Sequence, residues 1–532
     1  MPVISINNVG KFGVVKDLPA HKLPPEAWTD IKNFHMLEGG AKKAAGHEEV
    51  YDPPSVSPYG LMFVPEPSNL YWLYMGLAKV YGVDAIAGTH YDLTRATGGD
   101  YNADQDIGWN GAVLGNIPVI NNGVDDPQMW NPVSTGQKLQ ALSNWPANTK
   151  ARVIRGFKQF LIALDVTEGA TRYPYIMRVS DVADPGAVPG SWDYSDPANL
   201  SIRRALQEGE DFLIDCVPLG DTNIIYKEHS VWGMQFIGGQ SVWRTFKLPL
   251  NFGIMNRNCA VPIPKGRQLV VTENYDLVVH NGQTDDSVMS ARTRRWLEGQ
   301  LDPTYYQRSF LAVNPLDNEV FFCFCTVGNS VPTRAIVWNW DTNSIGTQEL
   351  ENFSFGAYGF ATTGGAATID ELIMNIDEMD WPIDSGLESR FTRHLLWAKP
   401  DATSPKLFKG HSTAQFNGVN IEAYVERTGL ALIGRDRQGN PIVDLERMKF
   451  LRRVIPRIEA ASGTQVQVYV GSQETIEGAI TWQGPYTFTV GIDLWVDTMI
   501  SSKLLAVRFR TTGNVQWTLH GYDLDIELDG EY

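Results

Sequence analysis

Two acidic stretches next to tryptophan contain the residues whose types and spacing could do hydrolytic chemistry. Asp104 and Asp106 lie in "NADQDIGWNG", close to Trp109. Glycoside hydrolysis needs two carboxyl groups across a cleft, and an indole ring can stack on a sugar. The second stretch, "NIDEMDWPIDSG", contributes Asp377, Glu378, Asp380 and Trp381.

These stretches also have a plainer interpretation, because acidic groups beside tryptophan are common in acidic, loop-rich proteins. The sialidase repeat Ser-x-Asp-x-Gly-x-Thr-Trp is absent, as are GxSxG, HExxH and GxxxxGK[ST]. A strand pattern, not a helix, follows "GGQSVW" at Gly238. We therefore predict a protein that is not an enzyme, with no catalytic residue and no cofactor, and keep sugar cleavage as the alternative.

The cysteines and histidines lack the spacing of a metal site. In "FFCFC" two thiols at i and i+2 share one side of a strand, but no second pair accompanies them as in CxxC…CxxC. We expect buried free thiols, as in a reducing cytoplasm, and no metal. The cysteines are Cys216, Cys259, Cys323 and Cys325, and the histidines of the opening segment, too far apart for a helix-borne pair, are His21, His35 and His47.

The net charge of −17 argues against a protein that binds nucleic acid regardless of sequence, since neutralising phosphates requires a basic face. A negative surface suits a protein past which DNA slides, although acidity also simply keeps a large protein soluble. One basic cluster could contact passing phosphate or a partner's acidic rim; the alternative is a solvated helix face. Its members are Arg292, Arg294 and Arg295.

Short β-branched and aromatic runs beside Asn, Asp or Gly turns predict an all-β protein. About six such units occupy residues 60–412, at uneven intervals. This pattern favours an irregular β-propeller of about six blades, with several sandwiches as the alternative. The units begin near Asn69, Lys158, Asn223, Gln268, Glu319 and Arg393.

Two short helices are predicted, one from Asp196 and one from Asp285. Beyond residue 410 the alternation of apolar and polar residues becomes regular, as in Val466, Val468 and Val470, which predicts a half-buried antiparallel sheet of a sandwich-like domain. We therefore divide the chain into an extended N-terminal arm with the first strands (1–55), a propeller (56–410) and a C-terminal β domain (411–532). The N-terminal "MPVISINNVG" and the lack of long apolar runs predict neither a signal peptide nor a membrane span.

Phrases spread along the chain resemble the tail hub, or nozzle, proteins of short-tailed bacteriophages. The opening "LPPEAWTDIKNFHMLEGGAKKAAGHEEVY" is similar to the segment that precedes their first blade. Further phrases are "YPYIMRVSDVADPGAVPGSWD", "PLGDTNIIYKEHSVWGMQFIGG", "VTENYDLVVHNGQ" and the closing "LAVRFRTTGNVQWTLHGYDLDIELDGEY". The similarity is weakest over residues 340–410.

This resemblance implies a structural protein of the virion tail, made in the host cytoplasm. Six copies would form a ring below the portal and adaptor, with a propeller in each subunit. Double-stranded DNA would pass through the ring without specific binding, and tail fibres or tail tip proteins would dock on it. The family transfers no catalytic residues. Its proline-marked arm, here Leu23–Pro25, is suited to lying across a neighbour.

A gate at the distal mouth of the ring would hold the DNA until ejection. Our candidate gate or interface is the acidic segment from Gly365 to Ser389, which contains Asp377, Glu378, Asp380 and Trp381, together with the arginine cluster defined above. The rival functions are a propeller glycosidase or sugar-binding tail component acting on the host envelope, and a host-encoded carbohydrate-binding propeller.

Overall fold

Antiparallel β-sheets make up nearly all of the protein, which confirms the predicted all-β class. The computed structural model describes residues 3–16, 18–66, 69–238, 242–362, 391–436, 438, 441–476 and 478–528. The candidate gate from Gly365 to Ser389, with Asp377, Glu378, Asp380 and Trp381, lies outside the described residues.

The first fifty residues form short strands and one 3-10 turn, Ala20–Lys22. The strands are β1 (Val3–Asn7), β2 (Asp30–Lys32), β3 (Phe34–Leu37), β4 (Gly40–Lys43) and β5 (His47–Glu49).

Seven four-stranded blades follow in the described part of the chain, and each except the last is an uninterrupted meander. Blade 1 contains β6 (Gly60–Glu66), β7 (Asn69–Met75), β8 (Val80–Asp84) and β9 (His90–Asp92). Blade 2 contains β10 (Asn110–Leu114), β11 (Ile117–Asn121), β12 (Gln128–Met129) and β13 (Gln140–Ala141). Blade 3 contains β14 (Thr149–Phe157), β15 (Phe160–Glu168), β16 (Thr171–Val179) and β17 (Ile202–Ala205). Blades 4 and 5 are β18 (Leu213–Leu219), β19 (Thr222–Lys227), β20 (Val231–Phe236), β21 (Trp243–Lys247); and β22 (Ala260–Ile263), β23 (Arg267–Val271), β24 (Leu277–His280), β25 (Asp285–Ser287). Blade 6 is β26 (Phe310–Asn314), β27 (Glu319–Phe324), β28 (Arg334–Asn339), β29 (Ser344–Glu349), and blade 7 contains β30 (Phe355–Thr362), β31 (Phe391–Lys399), β32 (Lys406–Gly410) and, from the N-terminal segment, β5.

The blades form a closed ring. Each inner strand from β10 to β30 contacts the inner strand of the next blade, and β30 returns to β6. Between the first two blades, a Cβ added at Gly111 would lie 2.9 Å from Cε of Met62. The ring is completed by β5, which pairs antiparallel with β32 so that Glu49 lies opposite Phe408. Joining strands from distant parts of the chain in one blade leaves no open edge where the ring ends.

The C-terminal strands are β33 (Gln415–Phe416), β34 (Val419–Asn420), β35 (Ala423–Leu430), β36 (Leu432–Arg435), β37 (Pro441–Val443), β38 (Lys449–Glu459), β39 (Gln465–Gln473), β40 (Thr481–Thr489), β41 (Val496–Ser502), β42 (Leu504–Thr511) and β43 (Thr518–Leu528). Strands β33 and β34 continue the sheet of blade 7 beyond β5.

One ten-stranded sheet joins the propeller to the C-terminal domain. Its order is β26-β27-β28-β29-β3-β4-β43-β38-β41, with β1 also paired to β43. A second sheet, β2-β35-β42-β39-β40, packs against its C-terminal half. Val466, Val468 and Val470 are fully buried between these sheets, in agreement with the predicted alternation. Blade 6 and the sandwich are therefore connected by hydrogen-bonded strands rather than by a linker.

Among the described residues the ring has seven blades, one more than the six units predicted from sequence. The unit that was missed is blade 2, whose outer strands Gln128–Met129 and Gln140–Ala141 are two residues long. Two residues are too few to show period-2 alternation, so composition alone gave no signal.

The helix predicted from Asp196 is wrong. Residues Ile202–Ala205 are strand β17, and the Asp196 carboxylate accepts from the N–H of Ala198, closing a local turn instead of capping a helix. Because the backbone is extended here, Arg203 reaches Glu168 on blade 3 and forms a bidentate ion pair with it.

The helix predicted from Asp285 is present but begins later, as α1 (Ala291–Gln300). Its N-cap is Ser290, whose Oγ accepts from the N–H of Thr293 at 3.2 Å. Leu297 is buried against the propeller core, while Asp285 itself belongs to the edge strand β25.

Candidate functional site

The starts of five inner strands surround the axis of the ring at one face, which we call the axial mouth. Tyr59, Trp109, Asn258, Ser309 and Ser354, each near the beginning of an inner strand, line a space of about 40 Å³ there. This volume holds a water molecule and little more.

The loop that contains Asp104 and Asp106 lies across the axial mouth. Asp106 forms an ion pair with Arg308, with 2.6 Å between Oδ1 and Nε, and its carbonyl accepts from Nη2 of Arg257 at 2.9 Å. Asp104 accepts from the N–H of Asp106 and so shapes the turn. The two carboxyl groups therefore hold a loop in place and are not free across a cleft.

Trp109 is 4% exposed and donates its indole N–H to the carbonyl of Gly76. Its ring meets Tyr101 edge to face, with 5.4 Å between centroids. A ring in this environment cannot stack on a sugar, so the sugar platform considered for Trp109 is wrong: this indole belongs to the core between blades 1 and 2.

Below the axial mouth, a buried ion pair connects blades 3 and 4. Arg155 donates to Asp215 from Nε and Nη2, with both contacts at 2.8 Å, and the same Nη2 also donates to Oδ1 of Asn258 at 2.7 Å. Burial alone would raise the pKa of Asp215, but the charge and hydrogen bonds of Arg155 outweigh it, and the pKa lies below the usual value. Three blades are thus fixed around the axis.

Beside the axial mouth lies a cleft of about 580 Å³ over blades 3, 4 and 5, which we call the upper cleft. Its charged side chains come from the edges of blade 3, the tight turns after β19 and β23, and the segment before β22. They are Arg152, Asp165, Arg172, Glu228, Arg257 and Glu273, and the remaining polar lining includes His229, Tyr275 and Tyr306.

Arg257 is the most perturbed group of the upper cleft. Burial, followed by repulsion from Arg152, lowers its pKa to about 10. Its Nε has no hydrogen-bond partner in the described part of the chain and is inaccessible to solvent. On the other wall, Arg172 is neutralised by a bidentate contact with Asp165, at 2.8 and 2.6 Å. The cleft therefore contains a cation with unused hydrogen-bonding capacity.

Two glutamates of neighbouring turns approach the same glycine of the upper cleft. The N–H of Gly253 donates to Oε2 of Glu273 at 2.7 Å, and a Cβ added at Gly253 would lie 1.8 Å from the carbonyl oxygen of Glu228. Sequence reasoning missed both residues, because "YKEHS" and "VTENY" each contain only one acid and blade packing brings both residues to one cleft.

The three arginines of α1 lie in two different environments. Arg294 lies 3.4 Å from Oδ2 of Asp276, whose pKa is raised by burial. Arg292 and Arg295 are exposed and form no ion pair with any described residue. Two of the three predicted contact residues are thus available to a partner, and the third is not.

The opening histidines lie in separate environments, and the thiols are buried. His21 is on the 3-10 turn, His47 lies against the rings of Phe408 and Phe416, and His35 is in β3. All four cysteines are free and buried, as predicted, and burial raises the pKa of Cys216 and of Cys325 to about 12. Thiols with such pKa values are poor nucleophiles.

Exposed apolar side chains concentrate at one edge of the C-terminal sandwich, where β40 and β41 are the last strands of their sheets. Ile492 is 70% exposed, Leu494 72% and Met499 71%, and Trp495 next to them is half exposed. We call these four residues the apolar edge. Contiguous apolar surface of this kind marks sites of association.

No helix among the described residues is long and apolar enough to cross a membrane.

The segment around Leu23, suggested to lie across a neighbour, instead packs on the C-terminal domain of its own chain. The carbonyl of Leu23 accepts from Nη2 of the buried Arg427 at 3.0 Å, and that of Ala20 accepts from Nη1 at 2.8 Å. Burial lowers the pKa of Arg427 to about 10.

No protein-family model matches the sequence. No curated protein matches it either. Solved structures resemble it in fold only. A fungal alcohol oxidase of the AA5 family, in complex with copper, aligns with 90% of this chain and 99% of its own at 10% identity and a TM-score of 0.40.

Two further structures align over part of their length. Raptor of Chaetomium thermophilum matches 69% of this chain and 30% of its own, at 7% identity and a TM-score of 0.37. PorZ of Porphyromonas gingivalis, a surface component of the type-IX secretion system, matches 72% and 43%, at 10% identity and a TM-score of 0.32. The chain thus spans less than half the length of these two proteins. None of the three is described as a phage tail component, and similarities this distant say nothing about function.

Proposed function

We propose that this protein is a non-enzymatic structural subunit of the tail of a short-tailed phage, six copies of which form a hub or nozzle ring below the portal and adaptor. The phrase similarities along the chain suggest this family. The observation that carries the proposal is the apolar edge, because three of its side chains, close together in one segment, are about 70% exposed.

The narrow axis of the propeller bears on where DNA would pass. The space between the inner strands of six blades, lined among others by Gly111, Gly156 and Ala260, has a volume of about 390 Å³ and is far too small for a duplex. In the proposed ring, the conduit therefore lies between six subunits and not through any one propeller. The acidic composition would then keep DNA from adhering to the wall, whereas a conduit lined mainly by Lys and Arg would contradict this part of the proposal.

Mass photometry of the purified chain mixed with its portal–adaptor assembly tests the proposal. We expect the mass to increase by about six chains per assembly, as a closed cyclic ring requires. A chain that never joins such an assembly would refute a tail role. The isolated chain is expected to be a monomer, so its own mass does not decide the question.

A second candidate function, cleavage or binding of envelope polysaccharide, is supported by the upper cleft. Glu228 and Glu273 supply two carboxyl groups there, and Arg257 supplies a cation for an acidic sugar. The test is a polysaccharide assay with wild-type protein and the E273Q variant, using E298Q on the exposed face of α1 as the matched control. Turnover lost only in E273Q would favour this function. Glycan binding by a protein that never enters a virion would instead favour a host carbohydrate-binding propeller.

A further inference from the structure

Two histidines and two carboxylates meet where the N-terminal segment, blade 6 and blade 7 come together. Asp317 and Glu319 flank the start of β27, His35 is in β3, and His411 directly follows β32. The closest ligand atoms of Asp317, Glu319 and His411 all lie within 4.8 Å of one another. Nδ1 of His35 lies 3.0 Å from Oε2 of Glu319, so the fourth group adjoins the cluster through Glu319.

The hydrogen bond on the far side of His35 determines which ring nitrogen faces the cluster. Nε2 of His35 lies 2.9 Å from Oε1 of Gln348, an acceptor, so this nitrogen carries the proton. Nδ1 therefore faces the carboxylate of Glu319 across 3.0 Å. At this distance a cation, either a second proton on the ring or a metal ion, must lie between or beside the two atoms.

The carboxylate of Glu319 also needs a cation beside it. Its side chain is 1% exposed, and Oε2 accepts no hydrogen bond of acceptable geometry from any described residue. Asp317 already has partners, since Nδ1 of His411 lies 2.9 Å from its Oδ2 and Lys42 adds positive charge, whereas Oε2 of Glu319 has no hydrogen-bond partner among the described residues. A buried carboxylate in this state is costly unless a cation binds it.

The outer contacts hold the ligands in position. Nδ2 of Asn314 donates to Oδ2 of Asp317 at 2.9 Å, and His411 adopts a φ of 58° that directs the chain back toward blade 6. Asp317 and His411 remain partly open to solvent, whereas His35 and Glu319 are sealed. Ions can thus reach the cluster from one side only.

From this geometry we propose a divalent metal site of the Zn²⁺ class, formed by Asp317, Glu319 and His411 with His35 held against Glu319, that fastens the N-terminal segment to the last two blades. Two carboxylates and an imidazole, with a second imidazole beside them, suit zinc better than magnesium or calcium, which favour all-oxygen sites. The spacing of the sequence gave no sign of it, because its ligands come from three distant segments. The inference does not depend on the proposed tail function.

The test is metal binding by the full chain after treatment with a chelator. We expect one equivalent of Zn²⁺ by calorimetry and elemental analysis, with Mg²⁺ and Ca²⁺ giving no comparable heat. At a hundredfold excess of Zn²⁺ over Kd, the Tm should rise by about 2 °C for a chain of this length. Co²⁺ should give the visible absorption of a four-coordinate site.

The H411N variant should lose the bound equivalent and the Tm increase. The matched control is H520N, which removes an imidazole paired with Glu459 on the surface at 2.7 Å and should bind as wild type does. If H411N does not fold, D317N, on the open side of the cluster, replaces it. Absence of stoichiometric Zn²⁺ binding to wild-type protein, or unchanged binding in a folded H411N or D317N, would overturn the proposal. If wild-type protein binds no Zn²⁺, a proton shared between His35 and Glu319 takes the place of the metal ion.

Discussion

Large apolar side chains are buried where the ring closes but exposed at the apolar edge of the sandwich. In blade 7, Trp397 is 1% exposed and lies flat on Phe353, with 5.2 Å between ring centroids. At the apolar edge, Ile492 and Leu494 are about 70% exposed. Removing apolar surface from water stabilises the first region and contributes little in the second. The fold therefore does not require the apolar edge, which remains available to another molecule.

The largest expected effect comes from breaking the ring closure with Trp397→Ala. Truncating a fully buried indole leaves a cavity and should lower the free energy of unfolding by about 3–5 kcal/mol. The matched control is Trp495→Ala at the half-exposed indole of the apolar edge, with an expected loss below about 1 kcal/mol. Guanidinium denaturation of both variants measures the difference, and equal losses would remove the contrast between the two regions.

The contribution to stability of a second buried region, around His280 in blade 5, is expected to depend on pH. Nδ1 of His280 accepts from the N–H of Gly282 at 3.2 Å, and Nε2 lies 2.6 Å from the hydroxyl of Tyr226. Burial lowers the pKa of His280 to about 4. Because the unfolded imidazole has a pKa of about 6.5, the unfolded chain binds more protons between these two values, and stability falls as the pH is lowered through this window.

Between about pH 7 and about pH 5, His280 should account for a loss of about 2 kcal/mol. The H280Q variant should be less stable at neutral pH but should show a flatter pH profile in denaturant titrations. H520Q, a change on the surface, should keep the profile of the wild type. A profile that is as steep in H280Q as in the wild type would contradict this assignment.

Helix α1 is intermediate between the two regions, since one face is buried and the other carries exposed arginines. Ser290→Ala removes the N-cap acceptor and should cost about 1 kcal/mol, whereas Ser290→Thr should retain most of the stability. Thermal unfolding of the pair measures this. If the alanine variant were as stable as wild type, tertiary packing of Leu297 alone would hold the helix.

The smallest effect on stability, and the one most relevant to assembly, is expected at the apolar edge. The triple change I492S/L494S/M499S should alter the free energy of unfolding by no more than about 0.5 kcal/mol per residue, because these side chains are already in contact with water. In the proposed tail role, it should abolish addition of the chain to the portal–adaptor assembly in mass photometry. The matched control, I237S/V327S/V419S, changes three exposed apolar residues elsewhere and should assemble normally. Normal assembly of the first triple would exclude the apolar edge as the contact.

The sequence predicted the fold where local patterns are long. Leu505, Val507 and Phe509 are fully buried while Arg508 and Arg510 pair with glutamates, as strict alternation requires. The helix from Asp196 failed because an Asp followed by Pro suits a turn as well as a cap, and tertiary pairing of Arg203 decided between them. The closure of blade 7 by β5 could not be predicted, because single-sequence patterns contain no information on which distant strands pair.

The candidate sites were harder to predict than the fold. Acid-tryptophan proximity drew attention to Asp106 and Trp109, but one is held by Arg308 and the other is buried. Glu228 and Glu273 line the same cleft only because blades 4 and 5 are neighbours in the ring. Spacing rules detect ligands within one element, and these groups lie on separate elements.

The pairing of the first strands with the last also has a consequence for synthesis. Residues 3–7 and 47–49 leave the ribosome well before their hydrogen-bond partners in β43 and β32. Until those partners emerge, these strands have unpaired edges and the ring cannot close, a situation in which nascent chains aggregate. Contacts this distant in sequence also form slowly. Synthesis of β43, rather than emergence of any single blade, is therefore the event that permits the native state.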